Sequence, residues 1–166
     1  MRFSQLLKPE YVLLELETNL DPEIDYSLDK NVLLLKESVF LELSHVFDKT
    51  GKVTNRNKLY VDLLNREKKA STGIGKGVAI PHVRTIQIRE ISMVIARSIP
   101  GIPFDAIDHE PVHLFIALVC PPYADQFYLK FFKKIAQMLE TTTLFEDIMT
   151  CETEDEVVRS FLKAAE

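Results

Sequence analysis

The sequence predicts a single α/β domain, α+β-like in order, with a mixed β-sheet flanked by helices on both faces. Three observations point to it. Apolar residues recur first at helical spacing, then in two unbroken runs that suit buried strands, then again at helical spacing. The length of 166 residues suits one domain rather than two. Hydrophobic residues at 46% and charged residues at 27% are the balance of an ordinary soluble protein, with enough apolar side chain for a core.

The elements follow in order. Tyr11 to Leu16 is a short apolar run bounded by Pro9 and by the turn-like Asn19 to Pro22, and it reads as an early strand. Over residues 27–47, Leu28, Val32, Leu35, Val39, Leu43 and Val46 recur three and four apart, predicting an amphipathic helix capped by Ser27 and ended near Gly51, a residue suited to a left-handed turn. Thr54 to Lys69 predicts a second helix, with Leu59, Leu63 and Leu64 inward and Arg56, Asp62, Arg66, Glu67 and Lys68 at polar positions. Ser71 to Gly77 then holds three of the five glycines, a crowding that needs a local reason.

Val78 to Ile80 reads as a short strand before Pro81 and His82. Residues 90–99 and 111–120 are predicted strands, with turns from Ile99 to Phe104 and from Ala106 to Pro111 between them. Tyr128 to Glu140 predicts a helix with Leu129, Phe132, Ile135, Ala136 and Leu139 on one face. Thr143 to Thr150 suits a short helical turn, and Thr153-Glu-Asp-Glu156 is a capping box opening a last helix.

Several function classes fall away. A net charge of -5 argues against a protein held to nucleic acid by phosphate contacts. No stretch approaches the ~20 apolar residues that span a bilayer, so membrane insertion is not expected. The opening residues show no apolar run with a small-residue cleavage site, so no signal peptide is expected. Cys120 and Cys151 form no CxxC, and two unpaired thiols fit a reducing cytoplasm. Homo-oligomer formation is left open.

Four histidines carry the candidate chemistry. His45 and His109 read as a helix residue and a solvated turn residue. His113 opens a strand, where a hydrogen-bonded structural role is the default. His109 and His113 have the spacing of helical metal ligands, but Pro111 lies between them, and extended residues four apart lie roughly 13 Å from each other. No metal site is expected. His82 follows a proline and a glycine-rich turn of the kind that aims backbone N–H groups at an anion. The Walker and GxGxxG patterns are both absent, so a nucleotide is not expected.

The run LNREKKASTGIGKGVAIPHVR, from Leu64 to Arg84, resembles the signature of the type-2 IIA domain of the bacterial phosphotransferase system. That family includes fructose and mannitol IIA domains and the nitrogen-regulatory IIA protein. Phe104 to Asp108 and Pro111 to Val119 are similar to its later strand region, and the whole of 1–166 is expected to be one such domain. The stand-alone nitrogen-regulatory branch is the best match.

The resemblance implies that His82 accepts a phosphoryl group from the phosphohistidine of an HPr-like phosphocarrier, through Nε2, with Nδ1–H held by a neighbouring acceptor. Arg66 takes the place of the arginine that stabilises the transferring group. Ser71, Thr72 and the amides of Gly73, Gly75 and Gly77 are expected as further phosphate donors. Neither cofactor nor metal is implied. Arg84 is a second nearby cation whose direction the sequence leaves open.

One departure stands out. The family often carries a second histidine at the start of the helix where this chain has Tyr128. A phenol can hydrogen-bond phosphate but is no cation near neutral pH. His113 is the one residue the sequence offers in its place. The expected function is therefore a phosphoryl-accepting regulator that acts on an unnamed target protein. The rivals are a relay enzyme passing phosphate to a IIB domain in sugar uptake and a docking module that is never phosphorylated.

Overall fold

The computed structural model describes residues 2–166. After two 3-10 turns, Phe3–Gln5 and Pro9–Tyr11, the chain runs β1 (Val12–Leu13), α1 (Asp29–Asp48), α2 (Arg56–Lys69), β2 (Gly73–Gly75), β3 (Val78–Ala79) and β4 (His82–Arg84). It continues β5 (Ser92–Ile102), β6 (Val112–Cys120), α3 (Asp125–Thr141), α4 (Leu144–Thr150) and α5 (Glu154–Ala164). The sheet order is β1-β5-β6-β3-β2, and β4 also pairs with β6. The β5–β6 and β2–β3 pairs are antiparallel and the others parallel, so the sheet is mixed.

The central stretches of the long strands β5 and β6, Met93 to Ala96 and Leu114 to Cys120, are apolar without alternation because both faces of the sheet are covered. Phe115, Ala117 and Val119 of β6 join Val94 and Ala96 of β5 in a core closed by α1 and α2. Leu114, Ile116, Leu118 and Cys120 join Met93 and Ile95 in a second core closed by α3, α4 and α5. Alternation along each strand divides one sequence between two cores.

β3 and β4 lie on the same edge of β6 in one register, Val78 against Leu114 and His82 against Leu118. They are one strand interrupted at Pro81, which has no N–H to give to a ladder but still accepts from the Leu118 amide at 2.9 Å. His82 is the first residue after the break.

Several boundaries differ from the sequence expectation. The early strand shrinks to Val12–Leu13, because Pro9–Tyr11 forms a 3-10 turn. Ser27 does not cap α1. Its hydroxyl donates to Asp25 at 2.7 Å, and the helix begins behind Leu28 without a side-chain cap. Asn55 caps α2 instead, accepting from the Lys58 amide at 3.0 Å. β5 runs through the expected turn to Ile102, with a register shift between Arg97 and Ile102. The buried face of α3 is Phe131, Ile135 and Met138, while Leu129 and Ala136 are exposed. Ile135 is buried as expected and Phe132 and Leu139 pack partly against the same core, so the face is turned from the one that periodicity alone indicates rather than opposite to it. Gly51 does adopt a left-handed φ of 72°, and Thr153 caps α5 by accepting from the Glu156 amide at 3.2 Å.

Glu67, one of the polar positions of α2, is buried. It accepts from the Thr72 amide at 3.0 Å and hydroxyl at 2.6 Å and pairs with buried Lys36 at 3.2 Å. Asp105 completes the neutralisation of Lys36 at 3.5 Å. A charge in such a place is tolerated only with partners. The network ties α1, the last turn of α2 and the chain leading into β2. Replacing Glu67 by Ala leaves Lys36 only its longer pairing with Asp105 and orphans the Thr72 donors, so urea unfolding should show a loss of about 3 kcal/mol.

Candidate functional site

The inward anchor at Glu67 sets the rotation of α2. Asp62, Asn65, Arg66 and Lys69, spaced at zero, three, four and seven, then share the face that lines an open cleft of about 560 Å³. Val83 and Arg84 of β4, Pro122 and Tyr128 of α3 form the rest of its wall. The cleft lies where β4 leaves the sheet edge between α2 and α3.

His82 stands beside it, half-buried. Its ring meets Tyr128 edge-on with centroids 5.2 Å apart and Phe132 at 4.6 Å. Nδ1 lies 2.7 Å from the Ile80 carbonyl oxygen. A carbonyl can only accept, so Nδ1 carries the proton and Nε2 holds the lone pair. Nε2 has no hydrogen-bond partner among the described residues and is not sealed from solvent. Burial pushes the imidazolium pKa down. The Ile80 carbonyl opposes that shift, and the positive charge of Arg66 adds to it. At neutral pH the ring is a neutral nitrogen nucleophile.

Two guanidinium groups face the cleft. Arg66 donates to the Ala70 carbonyl at 2.9 Å. Arg84 is ion-paired to Asp125, and its guanidinium lies over the face of Tyr128, 5.3 Å from the ring centroid. Burial pushes the Tyr128 phenol pKa up while the charges of Arg66 and Arg84 pull it down. Tyr128 therefore remains an un-ionised donor near neutral pH.

The glycine-rich segment does not make a donor cradle at His82, a correction to the expectation. The Ser71 hydroxyl donates to the Phe104 carbonyl, Thr72 is held by Glu67, and the Gly73 amide donates to Ser71. Gly75 and Gly77 belong to the far end of a hairpin. Gly77 accepts from the His113 and Leu114 amides, whereas His82 pairs with Leu118, four residues or roughly 13 Å further along β6. The glycines have packing reasons. A Cβ on Gly73 would lie 2.8 Å from Ala106, and Gly77 has a φ of 79°.

His113 lies at the same distant end. Its Nδ1 is 3.1 Å from the Ser98 and Ile99 carbonyls and its ring packs on Phe145. It does not stand in for a second histidine at the cleft. His45 and His109 are exposed. Sequence reasoning missed Phe132, Asp125 and the burial of Glu67. The i, i+4 pairing of Tyr128 with Phe132 was the available signal for the first.

A mixed sheet between two helical layers, with a half-buried histidine on a broken edge strand beside arginines, defines a protein built to present one imidazole at its surface. Comparison with known proteins makes this specific. Residues 27–164 match the family model described as the phosphoenolpyruvate-dependent sugar phosphotransferase system, EIIA 2, and the chain belongs to that family. It is 31% identical over 123 residues to the fructose-specific EIIABC component of Bacillus subtilis, covering 74% of this chain and 19% of that protein. It is 33% identical over 104 residues to the nitrogen regulatory protein of Klebsiella oxytoca, covering 61% and 64%. The matched stretch is thus under two thirds of the length of both relatives. The crystal structure of nitrogen regulatory protein IIA-Ntr from Neisseria meningitidis superposes with a TM-score of 0.80 at 25% identity, covering 95% of this chain and 97% of that one. Among the described residues no helix is long and apolar enough to cross a membrane.

The histidine geometry has a measurable consequence. In a pH titration followed by NMR, His82 should protonate below the ordinary histidine value of about 6.5. Because the folded form binds the proton less well than the unfolded chain, this group stabilises the fold above about pH 6.5. That contribution should be lost as pH falls from there through the lowered folded value. His82→Gln should remove this step from the stability profile.

Proposed function

We propose that this protein accepts a phosphoryl group on Nε2 of His82 from the phosphohistidine of an HPr-like carrier and uses the resulting charge to change its binding to a target protein. The observation that carries this reading is the Nδ1–Ile80 hydrogen bond, which leaves Nε2 unprotonated beside a cleft with two guanidinium groups.

The Nε2 lone pair attacks phosphorus. The bond from phosphorus to the donor nitrogen breaks, and a donor ring protonated on its other nitrogen leaves as neutral imidazole. His82 becomes a phosphoimidazolium whose Nδ1–H stays on the Ile80 carbonyl. The shared phosphoryl oxygens gather negative charge in a loose transition state, where Arg66 is placed to pair with them. The phosphoryl group arrives already activated on nitrogen, so the step draws on no nucleotide. Because the ring keeps its Nδ1 proton, the net charge of the cleft changes by about −1, with the negative charge gathered on three phosphoryl oxygens, enough to create or abolish a docking face.

Relatives named for nitrogen regulation and for fructose transport both match this chain. Tyr128 favours the regulatory branch, because a neutral phenol supplies no second imidazole for onward transfer. The alternative, passage to a IIB domain, is tested in the same assay by adding candidate IIB acceptors.

Incubation with phosphorylated carrier should give an acid-labile adduct that is absent from His82→Gln. Arg66→Ala should slow its formation by roughly 10³-fold. Label on another residue, or none on the wild type, would overturn the reading. An unchanged rate in Arg66→Ala would remove that residue from the mechanism.

A further inference from the structure

We propose that Arg84 is a second phosphoryl-contacting cation, held in the resting protein by Asp125 and handed to the phosphoryl group when His82 is modified. This rests on the phosphoryl-acceptor reading of His82 and adds to it a residue and a switch. His82 and Arg84 are two apart on β4, so their side chains leave the same side of the strand, roughly 7 Å apart at Cα. Both meet one ring: His82 packs on Tyr128 in a T-shaped contact with centroids 5.2 Å apart, and the Arg84 guanidinium lies over the face of Tyr128. Arg84 also lines the cleft shared with Arg66 and Lys69. A phosphoryl group on Nε2 therefore projects among these cations.

Asp125 is the first residue of α3, one turn before Tyr128. Its carboxylate is 67% exposed and the Arg84 side chain 47% exposed, so their ion pair is worth little by itself. A phosphoryl dianion carries more charge than a carboxylate and offers three acceptor oxygens, so it wins the fork of the guanidinium. The face of Tyr128 keeps Arg84 beside the cleft during the exchange. Phosphorylation then frees Asp125 at the start of α3, next to exposed Leu129 and Tyr123. The surface around the site changes in two charges at once, one at His82 and one at Asp125. Tyr128 acts here as a platform for a cation rather than as a lost histidine.

The test phosphorylates His82 chemically with phosphoramidate, in which the P–N bond breaks and ammonia leaves as Nε2–P forms. The phosphoryl group is then titrated by phosphorus NMR, a readout that a merely structural arginine would not move. Arg84→Gln should raise the second phosphoryl pKa by about one pH unit, and Arg84→Lys should restore part of the shift. In carrier-driven labelling, Asp125→Asn should speed transfer several-fold in the wild type and leave Arg84→Gln unaffected. Both residues are exposed, so unfolding midpoints should stay near wild type. An unmoved phosphoryl pKa in Arg84→Gln overturns the proposal. So does an equal effect of Asp125→Asn in both backgrounds, which is simple repulsion. Labelling by phosphoramidate but not by carrier defeats the relay reading alone. Failure of both defeats both.

Discussion

One hydrogen bond governs the chemistry of this molecule. The Ile80 carbonyl, two residues before His82, takes the Nδ1 proton at 2.7 Å and thereby decides which nitrogen faces the cleft. The geometry depends on Pro81. By interrupting the edge strand between β3 and β4 it lets the backbone present a carbonyl to the next side chain while keeping the register on β6. A free imidazole exchanges tautomers; this one is held in the form that can attack an electrophile.

The second constraint lies behind the site. Glu67 points into the protein, binds Lys36 and both donors of Thr72, and is wholly enclosed. Its neighbour Arg66 is turned outward as a result. The cost of burying a carboxylate is offset by three partners, and what the fold gains is one defined rotation for the end of α2. The charge that serves the cleft and the charge that serves the core are adjacent in sequence and opposite in role.

Electrostatics and aromatic packing meet at Tyr128. Its ring packs on His82, its face carries Arg84, and both arginines bear on its phenol. The site is thus assembled from α2, β4 and α3, three elements separated along the chain. The glycine hairpin, though it dominates the sequence motif, serves packing against Ala106 and Phe145 at the opposite end.

Much of this was legible in the residues. Continuous apolar runs at β5 and β6 announced a sheet covered on both sides. The capping box at Thr153 and the left-handed turn at Gly51 marked ends of helices, because these signals are local and their partners lie within four residues. The run from Leu64 to Arg84 identified the family and singled out His82 and Arg66. Which stripe of α3 is buried, where Glu67 points, and that Gly75 and Gly77 lie remote from His82 were decided only by tertiary structure. Those facts depend on pairings between residues far apart in the chain, such as Lys36 with Glu67 and Arg84 with Asp125, and no local periodicity encodes them.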